Sequence, residues 1–176
     1  IQRALDGILV VDLAGSVATT YCSKLFVDYG ATVVNLEPEV GFPTRQLAPF
    51  IDEASTESAM HGYLNANKKS VRRDLISDDA IAALLSEANL VLGDGTDIGL
   101  FDSRLRMDIS WYDDCGPYAD FIGSDAQCFA LNGMLRNIGH ADGPPLIPTG
   151  YQAQIVGGMT AFVGAMGQVL AQELNA

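Results

Sequence analysis

Basic residues are scarce in this sequence. Ten lysines and arginines stand against 22 aspartates and glutamates, for a formal net charge of −12. A surface so uniformly acidic repels phosphate backbones and anionic bilayers, so neither nucleic acid nor a membrane is expected as a partner. Histidine is scarcer still: His61 and His140 stand alone, neither has a second histidine at ligand spacing, and no metal site is expected. The three cysteines, Cys22, Cys115 and Cys128, are odd in number, widely spaced and without a CxxC. That excludes a disulfide framework and a zinc site, and a reducing, cytoplasmic setting fits best. No basic-then-apolar leader opens the sequence, so no signal peptide is expected. A continuous apolar run of ~20 residues is also missing, and the glycine-rich segment 150–170 is read as a helix of a soluble domain, not a membrane span.

What remains is a globular composition, 48% hydrophobic and 18% charged over 176 residues, enough for one domain spanning 1–176. Ile8–Leu13, ILVVDL, is a short β-branched run and reads as a buried strand. Ala14–Tyr29 follows as a helix with Val17, Tyr21, Leu25 and Phe26 on one face, stopped by Gly30. Ala31–Glu37 is a second buried strand, so the chain opens with a parallel β-α-β unit. The turn between them, Ala14–Thr19, holds a single glycine, and without GxGxxG no dinucleotide is expected. Pro38–Gly62, broken by Pro43 and Pro49, reads as a long polar excursion with His61 in a loop. Ser77–Ala88 reads as a helix with Ser77 as N-cap, Asp78 and Asp79 in its first turn, and Ile81, Leu84, Leu85 and Ala88 as its buried stripe. Asn89–Leu92 is a third core strand, Gly93–Asp97 a turn, Asp108–Tyr112 a fourth strand and Ser124–Arg136 a helix; Ile98–Met107 has no clear pattern. Strands alternating with helices make an α/β domain with a mostly parallel sheet.

Two stretches carry candidate chemistry. Asn65–Leu75, NANKKSVRRDL, holds Lys68, Lys69, Arg72 and Arg73, four of the ten basic residues. Such a cluster either holds phosphates by charge-assisted hydrogen bonds or is a solvated strand end. Gly150–Leu170 has no charge. Its large apolar residues, Ile155, Val156, Met159, Phe162, Val163, Met166, Val169 and Leu170, follow the helical period and predict a buried stripe. A second face, Gly157, Gly158, Ala161, Gly164 and Ala165, is small, which predicts that another backbone or a ligand comes very close. Gln152 and Gln154 stand at the helix start, where free N–H groups and the positive dipole end can hold an anion or a reacting carbonyl.

The ordered set of segments resembles the class III CoA-transferase family (CaiB/BaiF type), which includes formyl-CoA and carnitine CoA-transferases and α-methylacyl-CoA racemases. The residues that carry the resemblance are Leu5-Asp6-Gly7-Ile8, Val11-Asp12-Leu13, Asp28-Tyr29-Gly30-Ala31, Leu36-Glu37-Pro38 and Pro43-Thr44-Arg45. They continue with Asn65-Ala66-Asn67-Lys68-Lys69-Ser70-Val71, Gly116-Pro117-Tyr118-Ala119-Asp120, Gly123-Ser124-Asp125 and Asp142-Gly143-Pro144-Pro145. The resemblance implies a Rossmann-like sheet flanked by helices, coenzyme A or an acyl-CoA as substrate with no covalently bound cofactor, and an interlocked homodimer or pairing with a second CoA-transferase domain. It also implies a parent chain roughly twice this length. Asn67, Lys68, Lys69 and Arg72 are then the CoA-binding candidates.

In transferases of the family an aspartate attacks the acyl thioester, because a carboxylate serves as both nucleophile and leaving group. Aligned from Asp142–Pro145 through Gly157-Gly158, that position falls on Gln154, whose amide cannot form an anhydride. Racemases of the family use a His–Asp neighbourhood to move the α-proton; the histidine position holds Ser124, and Asp125 beside it is kept. The family's Arg-containing loop is replaced by the acidic Gly93–Asp97, which would repel a pyrophosphate. Three readings follow: a degenerate CoA-binding or scaffold half of an acyl-CoA-metabolising protein, an acyl-CoA enzyme using Asp125 as base and Gln154 as hydrogen-bond donor, or a non-catalytic interaction module. The plain alternatives for the two residues are a helix-start polar group at Gln154 and a helix N-terminal acid at Asp125.

Overall fold

Val10 and Val11 are neighbours in a strand, point to opposite faces and are both fully buried, so that strand needs cover on both sides. The computed structural model, which describes residues 3–52, 55–95 and 105–174, supplies it. Five strands, β1 (Leu9–Asp12), β2 (Thr32–Glu37), β3 (Lys69–Arg72), β4 (Leu90–Gly93) and β5 (Arg106–Asp108), form one parallel sheet in the order β3-β2-β1-β4-β5. Among the described residues five helices accompany them: α1 (Val17–Asp28), α2 (Ala59–Asn65), α3 (Asp78–Glu87), α4 (Asp125–Leu131) and α5 (Gln152–Leu174). On one face Val10, Val33, Leu90 and Leu92 pack with Cys22 and Phe26 of α1 and Ala165 and Val169 of α5. On the other, Val11, Leu36 and Val91 pack with Ile81 and Leu85 of α3. Each large side chain removed from water here contributes ~1.5–3 kcal/mol. The α/β class with a Rossmann-like parallel sheet is as expected.

Four helices begin on a serine whose hydroxyl accepts a backbone N–H three residues on. Ser16 accepts from Thr19 at 3.1 Å, Ser58 from His61 at 3.0 Å, Ser77 from Ala80 at 3.3 Å and Ser124 from Gln127 at 3.4 Å. Each such cap stabilises by ~1 kcal/mol.

Several boundaries differ from expectation. The polar excursion after β2 contains α2, so His61 is helical. The strand expected at 108–112 is β5 at 106–108. Its partner β4 ends at Gly93, and the Ser110 hydroxyl donates to the Tyr112 carbonyl at 2.6 Å, turning the chain away. The helix expected over 124–136 stops at Leu131, because Gly133 takes a left-handed φ of +77° and opens a short 3-10 turn, Met134–Asn137. Gly93 belongs to β4; Thr96 and Asp97 of the expected turn, and most of 98–107, lie outside the described residues.

The largest correction concerns α5. Only part of the stripe expected to be buried is covered: Val169 is buried and Phe162 and Met166 pack against the core, while Val156 is 52% exposed, Met159 48%, Val163 65% and Leu170 50%. Of the small residues, Gly158 and Ala165 are buried, while Gly164 is exposed. A Cβ on Gly158 would stand 2.4 Å from the Ala18 carbonyl oxygen, so only glycine lets α5 lie this close to α1. Phe162 then reaches Phe26 edge-on at 4.9 Å and stacks on Tyr29 at 5.8 Å between ring centres. The close backbone approach expected from the glycines is found at Gly158. By length and composition α5 is also apolar enough to cross a membrane, contrary to the sequence reading, while its inner face is committed to α1 and the sheet.

Candidate functional site

Strand order reverses between β1 and β4, and a ligand crevice in such sheets opens at the carboxyl ends of the strands near that point. A cavity of about 330 Å³ lies there. Its walls come from the start of α1 (Ser16, Ala18), the residue after β4 (Asp94), the segment after β5 (Ile109, Ser110, Trp111), α4 (Cys128) and the start of α5 (Ala153, Gln154, Gly157). Among the described residues that line it, none is lysine, arginine or histidine. A broader groove of about 980 Å³ adjoins it along α5 and carries Asp94, Asp108, Asp113 and Asp114.

Gln154 therefore lies on the cavity wall, and its side chain is tied to Asp125. Asp125 Oδ1 accepts the backbone N–H groups of Ala153 at 2.8 Å and Gln154 at 3.2 Å, and Oδ2 accepts the Gln154 side-chain amide at 3.1 Å. Asp125 is thus the N-cap of α5, supplied from another helix, and answers the positive end of the helix dipole. Ser124, at the position where the family's racemases keep a histidine, is the local cap of α4. Burial and the Asp125 charge push the Cys128 thiol up, so it faces the cavity uncharged.

The four expected CoA contacts are scattered. Lys68 turns inward: Nζ donates to the Thr20 carbonyl at 2.8 Å, Ser23 Oγ at 2.8 Å and Asn65 Oδ1 at 3.1 Å. Burial lowers its pKa to about 8, against the attraction of Asp12. Asp12 is fully buried at the end of β1, where its carboxylate accepts from the Ala14 and Gly15 N–H groups and, at 3.0 Å, from the Ser23 hydroxyl. Burial raises the Asp12 pKa while the Lys68 charge opposes the rise. The Asp12 bonds to Ala14 and Gly15 order the turn that leads into Ser16 and the cavity, and the Ser23 hydroxyl links Asp12 to Lys68. Lys69 and Asn67 lie at the opposite, amino-terminal edge of the sheet, beside Arg3 and Thr32 in a cavity of about 290 Å³. Arg72 is exposed at the end of β3 and paired with Asp74 at 2.5 Å.

The sequence reading also missed a network at the end of β2. Glu37 accepts two hydrogen bonds from Arg45, at 2.7 and 2.6 Å, one from the Phe42 N–H at 3.0 Å and one from the Ser70 hydroxyl at 2.5 Å. Burial alone would raise its pKa, but Arg45 and Ser70 outweigh it and hold it at about 2. Beside it, His61 Nδ1 meets the Thr44 hydroxyl at 2.9 Å, and burial and Arg45 keep its pKa below the usual value. The Pro43-Thr44-Arg45 segment marked this place in the sequence; the aromatic wall at Trp111 had no such mark.

The parallel sheet, its order and the crevice at the reversal define a doubly wound α/β domain. More particularly, the chain belongs to CoA-transferase family III, whose family model matches residues 5–96. It is 31% identical over 163 residues to the succinate–glutarate CoA-transferase of Agrobacterium fabrum, covering 81% of this chain and 41% of that protein. It is 24% identical over 190 residues to a formyl-CoA:oxalate CoA-transferase of Escherichia coli, covering 96% of this chain and 44% of that protein. Among solved structures it is similar to a CaiB/BaiF family protein from Brucella suis, with TM-score 0.84 at 25% identity over 99% of this chain and 51% of that one. It is also similar to Rv3272 from Mycobacterium tuberculosis, with TM-score 0.80 at 26% identity over 97% of this chain and 52% of that one. The chain thus spans less than half the length of these curated relatives.

Proposed function

We propose that this domain binds the thioester end of an acyl-CoA in the cavity beside Gln154 and that it has no carboxylate at the position matched to the family's attacking aspartate, acting as a binding and scaffold half of an acyl-CoA-metabolising protein. The observation that carries this reading is the Asp125–Gln154 contact. A transferase of this kind needs a carboxylate that attacks the thioester carbon, expels CoA as thiolate and leaves a mixed anhydride. At the position matched to that aspartate stands an amide. The neighbouring acid, Asp125, has its oxygens engaged in capping α5, which also speaks against Asp125 as a proton-abstracting base and Gln154 as a donor to the thioester oxygen. The open apolar stripe of α5 favours pairing, with a second copy or with another CoA-transferase domain. Cys22, Cys115 and Cys128 are all unpaired, in keeping with a cytoplasmic setting.

Acyl-CoA binding is tested by thermal unfolding: a ligand at 100 times its dissociation constant adds about 2.7 kcal/mol, and an absent shift with both CoA and acyl-CoA refutes the reading. The missing carboxylate nucleophile is tested by hydroxylamine trapping. The unmodified chain should give no acyl–enzyme, and Gln154→Asp should give one. An acyl–enzyme trapped on the unmodified chain would overturn the scaffold reading.

A further inference from the structure

We infer that the cavity selects a short uncharged acyl group over a carboxylate-bearing one, with Trp111 as the wall that sets this specificity. The inference rests on the acyl-CoA reading above and goes beyond it by naming the class of acyl group.

The argument is one of charge and shape. Ala18, Ile109, Trp111, Cys128 and Ala153 give the cavity an apolar lining. At about 330 Å³ it holds roughly ten waters' worth of space, enough for a few methylenes and too little for a long chain. A second carboxylate on the acyl group would need a cation or several donors to leave water. Among the described residues that line the cavity none is lysine, arginine or histidine. Asp125, behind Gln154, adds a negative charge close by. The succinate–glutarate CoA-transferase is named for two dicarboxylates, and the formyl-CoA:oxalate CoA-transferase for one dicarboxylate and the uncharged formyl group. This chain's cavity is built against carboxylate-bearing groups.

Trp111 occupies its place because residue 123 is glycine: a Cβ there would fall 2.3 Å from Trp111 Cβ. The indole forms part of both the cavity and the adjoining groove, so it meets an acyl chain directly. It is also the only tryptophan in the sequence, which makes its emission a reporter of this one wall.

The test is a fluorescence titration of the whole chain with CoA, butyryl-CoA and succinyl-CoA. Butyryl-CoA is expected to shift the Trp111 emission to the blue and to bind at least tenfold tighter than succinyl-CoA, while CoA binds with little shift. Ser110→Arg, which places a cation on the wall of the cavity, should raise the affinity for succinyl-CoA relative to butyryl-CoA at least tenfold, and an unchanged ratio overturns the inference. Succinyl-CoA binding as tightly as butyryl-CoA to the unmodified chain, with CoA also bound, overturns the inference and leaves the acyl-CoA reading standing. Binding of none of the three removes the acyl-CoA reading and this inference with it.

Discussion

Asp125 and Gln154 are joined twice: the carboxylate accepts the glutamine's backbone N–H at 3.2 Å and its side-chain amide at 3.1 Å. The contact fastens α4 to the start of the longest helix across 28 residues of intervening chain. A residue with the look of a base is thereby a cap. Asp125→Ala should destabilise the domain by ~1–2 kcal/mol, as losing an N-cap does. Asp125→Asn keeps an acceptor and should cost less than half of that. Urea unfolding of the two variants decides the point; an Asp125→Ala variant as stable as the parent would show that the carboxylate does not hold the helix.

Two glycines of α5 should respond in opposite directions to the same substitution. Gly158 faces the Ala18 carbonyl at a distance that admits no Cβ, whereas a Cβ on Gly167 would meet nothing within 4 Å. Gly158→Ala should cost ~1–3 kcal/mol by overpacking. Gly167→Ala should add ~0.5–1 kcal/mol through helix propensity. Thermal melts of the pair measure how far the close approach of α1 and α5 depends on that one position.

The parts of the fold that obey local rules were legible in the sequence. β1, β2 and β4 are short runs rich in apolar residues, and Ser77 with Asp78 and Asp79 marks a helix start. What was not legible depends on partners distant in the chain. Asp125 caps a helix that starts 27 residues later, and nothing in its own neighbourhood records that. Lys68 sits in a basic cluster and so resembles a phosphate contact, but its ammonium is drawn inward by Asp12 and Ser23, which lie on other elements. The face chosen by α5 follows the same pattern. Hydrophobicity favours the large residues for burial, whereas contact with the α1 backbone requires the small ones, and the backbone contact prevails at Gly158.

Glu37 gives the domain an acid limb with a definite window. Its pKa is held at about 2, below the ordinary 4.5, so the folded state binds fewer protons than the unfolded one between these values. The stabilisation is therefore fully present above pH 4.5 and is lost as pH falls toward 2. With Arg45 partly open to solvent, its size is about 2 kcal/mol after allowing for screening. Glu37→Gln should be less stable than the parent at pH 6, and the gap should narrow as pH drops through the window. A gap that stays constant down to pH 2 would refute the assignment.

Removing Lys68 alone should be more damaging than removing it together with the charge of Asp12. Lys68→Met removes the donor to the Thr20 carbonyl, Ser23 and Asn65 and the positive charge that favours the buried Asp12 carboxylate, at a cost of ~1–3 kcal/mol. In the double variant with Asp12→Asn, part of the loss should return, because the neutral amide oxygen still accepts the Ala14 and Gly15 amides. The Lys68 pKa of about 8 lies below its ordinary 10.5, so the folded chain binds fewer protons in that interval and this residue's contribution to stability rises with pH across it. That alkaline rise should be missing from Lys68→Met, as stability curves at pH 8 and pH 10 would show.

The outward side of α5 has a consequence for how the molecule behaves in bulk. Val156, Met159, Val163 and Leu170 form an oily ridge on a body of formal net charge −12. At low salt, repulsion between copies keeps these ridges apart. At 0.1 M salt that repulsion reaches only about 10 Å. Colloidal stability is therefore governed by two opposed features of one surface, and salting the protein in or out becomes a direct reading of their balance.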